Sequence, residues 1–190
     1  MTESDVFHIQ LGHPKINAGP FPPFVRVRDA FAPLFRAEEE SAYLFWHEVP
    51  IRLRYRAELA ENFDAIMAMA WLVQRDEAGA TLVELTTQLL ALRWELRWQG
   101  DQLSIAGSFS AHEDLYAPYA DAFSRAPTLL IDRQAFLSEW KTLLHQVVVA
   151  FEAGDVTIID GTERRKWELL QQVELDIPRY GALYLRAEGP

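Results

Sequence analysis

Cysteine is absent from this 190-residue chain. Its absence removes disulfides, thiolate catalysis and Cys-ligated metals, and it fits a reducing cytoplasm. Cations are in deficit, with 18 Lys and Arg against 28 Asp and Glu and a net charge of -10. Nucleic-acid binding depends on cationic neutralisation of phosphates, so this balance argues against it, and against attraction to anionic lipid. A basic partner would instead be steered toward the chain. Acidity also serves plain solubility.

Long apolar runs are missing. The best candidate, "AIMAMAWLV", is about half the length needed to span a bilayer. The N-terminal stretch "MTESDVFHIQLGHPKINAGP" has no basic region followed by an apolar one, so no secretory signal is expected. A cytoplasmic chain with no membrane partner follows as the expectation. Glycine is sparse, at nine residues, and no Gly-rich phosphate loop, nucleophile elbow or kinase signature occurs. No linker, low-complexity tract or solenoid repeat divides the chain. With 49% hydrophobic residues, residues 1–190 read as one globular domain with a sizeable core. Residues 12–24, "GHPKINAGPFPPF", read as a Pro/Gly-rich arm within it, pinned by Phe21 and Phe24.

Hydrophobic periodicity supplies the elements that are present. "VFHIQL" over residues 6–11 reads as a short strand. "VRDAFAPLFRAEEESA" suits a short helix that Pro33 disturbs. "YLFWHEVPIRLRYR" reads as extended, with Ile51, Leu53 and Tyr55 alternating with Arg52, Arg54 and Arg56. "AELAENFDAIMAMAWLVQRD" switches to helix, with Leu59, Phe63, Ile66, Met67, Ala70 and Trp71 on one face. In "ATLVELTTQLLAL", residues 80–92, the leucine spacing favours helix while Val83, Thr86 and Thr87 favour strand; the balance leans to helix. Asp132 reads as the N-cap of a helix over 133–153, with a stripe of Phe136, Trp140, Leu143, Leu144, Val147 and Phe151 and a stop at Gly154. "DVTII" suggests a short strand, "TERRKWELLQQV" another helix and "ALYLRA" a closing strand.

The clearest element is a hairpin. Gly100-Asp101 is a two-residue turn of the kind that matches strand twist. It sets Gln99 opposite Gln102, Trp98 opposite Leu103, Leu96 opposite Ile105, Trp94 opposite Gly107 and Leu92 opposite Phe109. The apolar residues of these pairs share one face, and a one-residue slip would turn them all to solvent. An aromatic ring is expected to cover the bare backbone of Gly107. Burying Trp94 and Trp98 is worth roughly 8–12 kcal/mol before entropy costs, so they read as core rather than as a ligand platform. The opposite face carries Arg93, Glu95 and Arg97. The whole pattern predicts an α+β fold: one domain, with an antiparallel sheet containing the Trp-rich hairpin packed against amphipathic helices.

Candidate chemistry is thin. His47-Glu48 lacks the second histidine of a zincin, because Ile51 stands in its place. Ser110 to Asp114 gathers a hydroxyl, an imidazole and two carboxylates, and His112, Glu113 and Asp114 could form an acid/base or metal cluster. A polar loop is the competing reading. His8 and His13 flank the first turn without a matching third ligand, and His145 sits at the margin of a helical stripe. Arg52, Arg54 and Arg56 form a basic strand face beside Glu58 and Glu61. Tyr116, Tyr119 and Phe123 suit a core-closing loop or an interface. Neither a cofactor nor a metal ion is expected.

An acidic, Cys-free chain with a Trp-rich hairpin, "LRWELRW", leading to "FLSEWKTLLHQVVVAFEAGD", resembles the immunity proteins of bacterial polymorphic toxin systems. The resemblance covers less than half the chain and matches no functional residue to a position here. It implies a protein that neutralises one toxin by binding it, without catalytic residues. Many such toxin domains are cationic, and an acidic inhibitor associates with them quickly and salt-dependently. On this reading the expected partner is a protein, such as a cationic toxin domain, and the candidate contact residues are Glu38, Glu39, Glu40, Arg93, Glu95 and Arg97. Two other classes stay open. One is a small enzyme with a dispersed polar site. The other is a structural or adaptor subunit, for which self-association is expected.

Overall fold

A computed structural model describes residues 7–36 and 40–171. The fold is α+β, with two antiparallel sheets. The smaller has the order β1 (Phe7–Gln10), β2 (Ser41–Trp46) and β3 (Val49–Arg54). The larger is a four-stranded meander of β4 (Ala78–Thr86), β5 (Leu90–Gln99), β6 (Gln102–Ala111) and β7 (Thr128–Asp132). Around them lie α1 (Phe31–Leu34), α2 (Ala60–Arg75), α3 (Ala117–Ser124), α4 (Arg133–Ala153) and α5 (Gly161–Gln171). The "ALYLRA" segment lies outside the described residues.

The β5–β6 hairpin has the expected register, from Gln99↔Gln102 through Trp94↔Gly107 to Leu92↔Phe109. Gly100 takes φ +57°, which its missing Cβ permits. A Cβ on Gly107 would lie 2.8 Å from the Phe109 ring and 3.1 Å from that of Trp46. These two rings, rather than that of Trp94 on the opposite strand, lie nearest the bare backbone there.

Trp94 is the meeting point of the two sheets. Its ring stacks on Trp46 of β2 at 5.5 Å and meets Trp140 of α4 edge-on at 6.4 Å. Phe7 of β1 closes the group at 6.2 Å. All four are buried in one hydrophobic cluster that takes residues from both sheets. Helix α4 crosses this junction, touching β1, β6, β7, α2 and α5. Its predicted stripe from Phe136 to Phe151 is fully buried. The Asp132 side chain accepts the Ala135 amide at 2.8 Å, which is the expected N-cap.

Several details differ from the expectations, and among them Tyr55 and Arg56 leave the strand for a helical turn over Tyr55–Leu59, while "DVTII" makes a single bridge at Ile158 rather than a strand. Residues 80–92 are not a helix: β4 runs to Thr86, a turn occupies 87–89 and β5 starts at Leu90. The evenly spaced leucines are divided by that turn, where Thr87 Oγ1 accepts the Leu90 amide. Val83 and Leu85 face the core because β5, in its hairpin register, pairs with β4 along its length. "YLFWHEVPIRLRYR" is not one strand but a hairpin, turned by His47 at φ 53°. Trp71 leaves the α2 core stripe and is 45% exposed, since Phe63, Ile66, Ala70 and Val73 fill the buried face at spacings of three and four. Gly154 ends α4 at φ -87°, and Asp155 takes the left-handed conformation at φ 52°. Glycine is needed at 154 for space, because a Cβ would sit 2.4 Å from Leu34.

The arm over 12–24 is tied down at both ends. Ile16 bridges Phe35, and Phe24 bridges Ile158 in the "DVTII" segment. The aromatic loop after β6 contains α3, which buries Phe123 against Phe109 at 4.8 Å.

Candidate functional site

The outer face of the four-stranded sheet is open along its whole width. Strict alternation on β4 to β7 sends one residue in two to the core and the next to solvent. Register then assembles the outward residues into rows. Leu82, Glu95, Ala106 and Thr128 form one row, and Ala80, Arg97, Ser104 and Leu130 the next. Glu84, Arg93 and Ser108 form a third. Small side chains keep the surface low, and Leu82, Arg93, Glu95, Arg97 and Leu130 stand above it. Residues 80–82, 93 and 95–97 border a shallow depression of about 330 Å³.

Sequence reasoning placed Arg93, Glu95 and Arg97 together on this face, and the structure agrees. Among the described residues none of the three enters an ion pair. Leu82 (46% exposed) and Leu130 (65%) were missed. Reading 80–92 as helix hid Leu82, and β7 is a five-residue strand whose pairing carries no local signal.

Glu40 does not join them. Glu38 and Glu39 lie outside the described residues. Glu40 precedes β2 and holds the arm, its Oε1 accepting the Lys15 amide at 2.9 Å while its backbone carbonyl accepts the Tyr55 amide.

The other candidates do not gather into a site among the described residues. The His112 ring hydrogen-bonds the Thr87 carbonyl at 3.0 Å, and His112, Glu113 and Asp114 are all exposed. His8 stacks on Phe45 at 4.3 Å, and His13 and His145 are exposed. Among the described residues no three His, Asp or Glu side chains gather as metal ligands.

The basic strand face of β3 is committed to the fold. Arg54 grips Glu58 through Nε and Nη2, and Glu58 also accepts the Arg54 amide. Burial pushes the Glu58 carboxyl up, but these bonds to Arg54 and to backbone pull it further down, leaving it below the usual carboxylate range. Arg52 Nε donates to Ser41 Oγ at 2.9 Å. Glu139 of α4 shows the opposite shift. Burial raises its carboxyl, and the bond it accepts from the Ile9 amide at 2.7 Å offsets only part of that.

The class that the fold defines is an α+β chain of two antiparallel sheets sharing one aromatic core, with one sheet face left open. No protein-family model, curated protein or solved structure matches the chain. Among the described residues no helix is long and apolar enough to cross a membrane.

Proposed function

We infer that this chain is a binding protein that works through the open face of the four-stranded sheet. Within that class we assign it as an immunity-type inhibitor that holds a toxin domain by protein–protein contact. One observation carries the reading: Arg93, Glu95 and Arg97 stand together on a rigid strand platform, beside exposed Leu82 and Leu130, with no ion pair among the described residues. Interfaces favour this mixture, in which arginine and apolar anchors supply affinity and small neighbours allow close approach. The two arginines and two glutamates of the face balance, so the net charge of -10 acts at longer range. It steers a cationic partner toward the chain. The sheet presents backbone already fixed by cross-strand bonds, so little order is lost on docking.

The test is pairwise. The chain is co-expressed with the product of the neighbouring reading frame, and the complex is measured by calorimetry alongside rescue of cell growth. A stable complex is expected, with Arg93→Glu and Arg97→Glu each weakening it by about tenfold or more. Absence of complex and rescue would refute the reading. So would undiminished binding by the double variant.

A further inference from the structure

Helices α2, α4 and α5 enclose a groove of about 560 Å³ on a different part of the molecule. Its apolar walls include Met67 and Trp71 from α2, Leu144 from α4 and Leu169 from α5. Trp71 and Leu169 are each 45% exposed, an unusual outlay of apolar surface on one rim. The groove reaches from Asp64 to Arg75, three turns of α2 or about 16 Å. Its volume falls in the range of small-molecule sites, which are mostly apolar with a few placed polar groups.

The placed polar group is Lys141. It lines the groove and is only 6% exposed. Among the described residues it makes no hydrogen bond and no ion pair. Its stem is buried while its Nζ keeps contact with solvent, so the ammonium stays hydrated at the groove and open to a counter-charge. The other cations of the groove are engaged. Lys166 bonds Asp64 at 3.1 Å and also Glu163. Arg75 pairs with Asp76 at 2.8 Å and lies 4.1 Å above the Trp71 ring.

One positive charge without an ion pair on the wall of a mostly apolar groove suits one negative charge on an apolar body. We propose that this groove binds a small amphipathic monocarboxylate, its head on Lys141 and its tail along Met67, Trp71 and Leu169. A dianionic head is disfavoured. It would leave one charge uncompensated inside a molecule of net charge -10. The site is independent of the sheet face, so either can fail alone.

Decanoate is the probe, titrated calorimetrically into the full chain beside decanol and decyl phosphate. Decanoate is expected to bind one to one and to perturb the emission that Trp71→Phe removes. Decanol is expected about tenfold weaker or worse. Lys141→Gln should reduce decanoate affinity by a similar factor while leaving decanol unchanged, and Lys141→Arg should restore it. Leu169→Glu is a second variant at an exposed position, safe for folding, and should reduce decanoate binding as strongly. No binding of decanoate overturns the proposal. So do equal affinities for decanoate and decanol, tighter binding of decyl phosphate, or full binding by both Lys141→Gln and Leu169→Glu.

Discussion

The two sheets share one core and differ on their outer faces. The three-stranded sheet ties several of its outer side chains to its own chain and leaves Tyr43 38% exposed. His8 lies on Phe45, Arg54 on Glu58, and Tyr119 donates to the Pro50 carbonyl. On its β1 edge Glu139 accepts the Ile9 amide, which removes one donor that could pair with another chain. The four-stranded sheet receives no such cover. Its outward side chains include small residues, exposed Leu82 and Leu130, and Arg93, Glu95 and Arg97 without an ion pair among the described residues. This difference is what supports the proposal that the second sheet carries the binding surface.

That contrast can be broken at its shared centre. Trp94→Ala should cost about 3–5 kcal/mol, because the ring leaves a cavity touching both sheets and α4. Both sheets should then unfold together in urea, read by circular dichroism. Separate transitions would show that the sheets hold independently.

The three-stranded sheet is tested next. Arg54→Ala leaves the Glu58 carboxylate, only 5% exposed, without its main partner. A loss of roughly 1–3 kcal/mol is expected. The wild-type contribution also has a pH signature. Because the folded Glu58 carboxyl lies below its ordinary value, its stabilisation is full above about pH 4.3, the unfolded range, and fades as pH falls through the folded value. Urea midpoints from pH 3 to 7 should show that loss in wild type and less of it in Arg54→Ala.

Glu139 gives a smaller effect of opposite sign. Its folded carboxyl is raised by burial, so its contribution is full below the unfolded range and is lost as pH rises through the folded value. Glu139→Gln keeps an acceptor for the Ile9 amide and carries no charge to bury. Its stability relative to wild type should rise with pH and then level off. A difference that is flat from pH 4 to 8 would count against the assignment.

The smallest stability change is expected on the open face. Arg93→Glu and Arg97→Glu, next to buried Leu92, Trp94, Leu96 and Trp98 on the same strand, should shift stability by no more than about 0.5 kcal/mol. Loss of partner binding with an unchanged melting point would separate function from fold. A fall comparable to that of Trp94→Ala would mean that this face is structural after all.

Local signals were enough for some elements. The Gly100-Asp101 turn fixes the β5–β6 register because its pairs are near in sequence and a slip would expose every apolar residue. Asp132 and the stripe beyond it define α4 for the same reason, each cue acting within a few residues. Through alternation these cues also place Arg93, Glu95 and Arg97 on one face.

Other features waited for the fold. Whether residues 80–86 are helix or strand was settled by pairing with β5, because the leucine spacing satisfies both patterns in part. Leu82 and Leu130 became neighbours of the three charged residues only when β4 and β7 took their places at the two edges of the sheet. The Lys141 groove needs three helices from across the chain. Periodicity records which side of an element is apolar, but not which other element covers it. Cover is a matter of contacts between residues far apart in sequence, so the tertiary structure alone decided which outward side chains are tied down and which stand open.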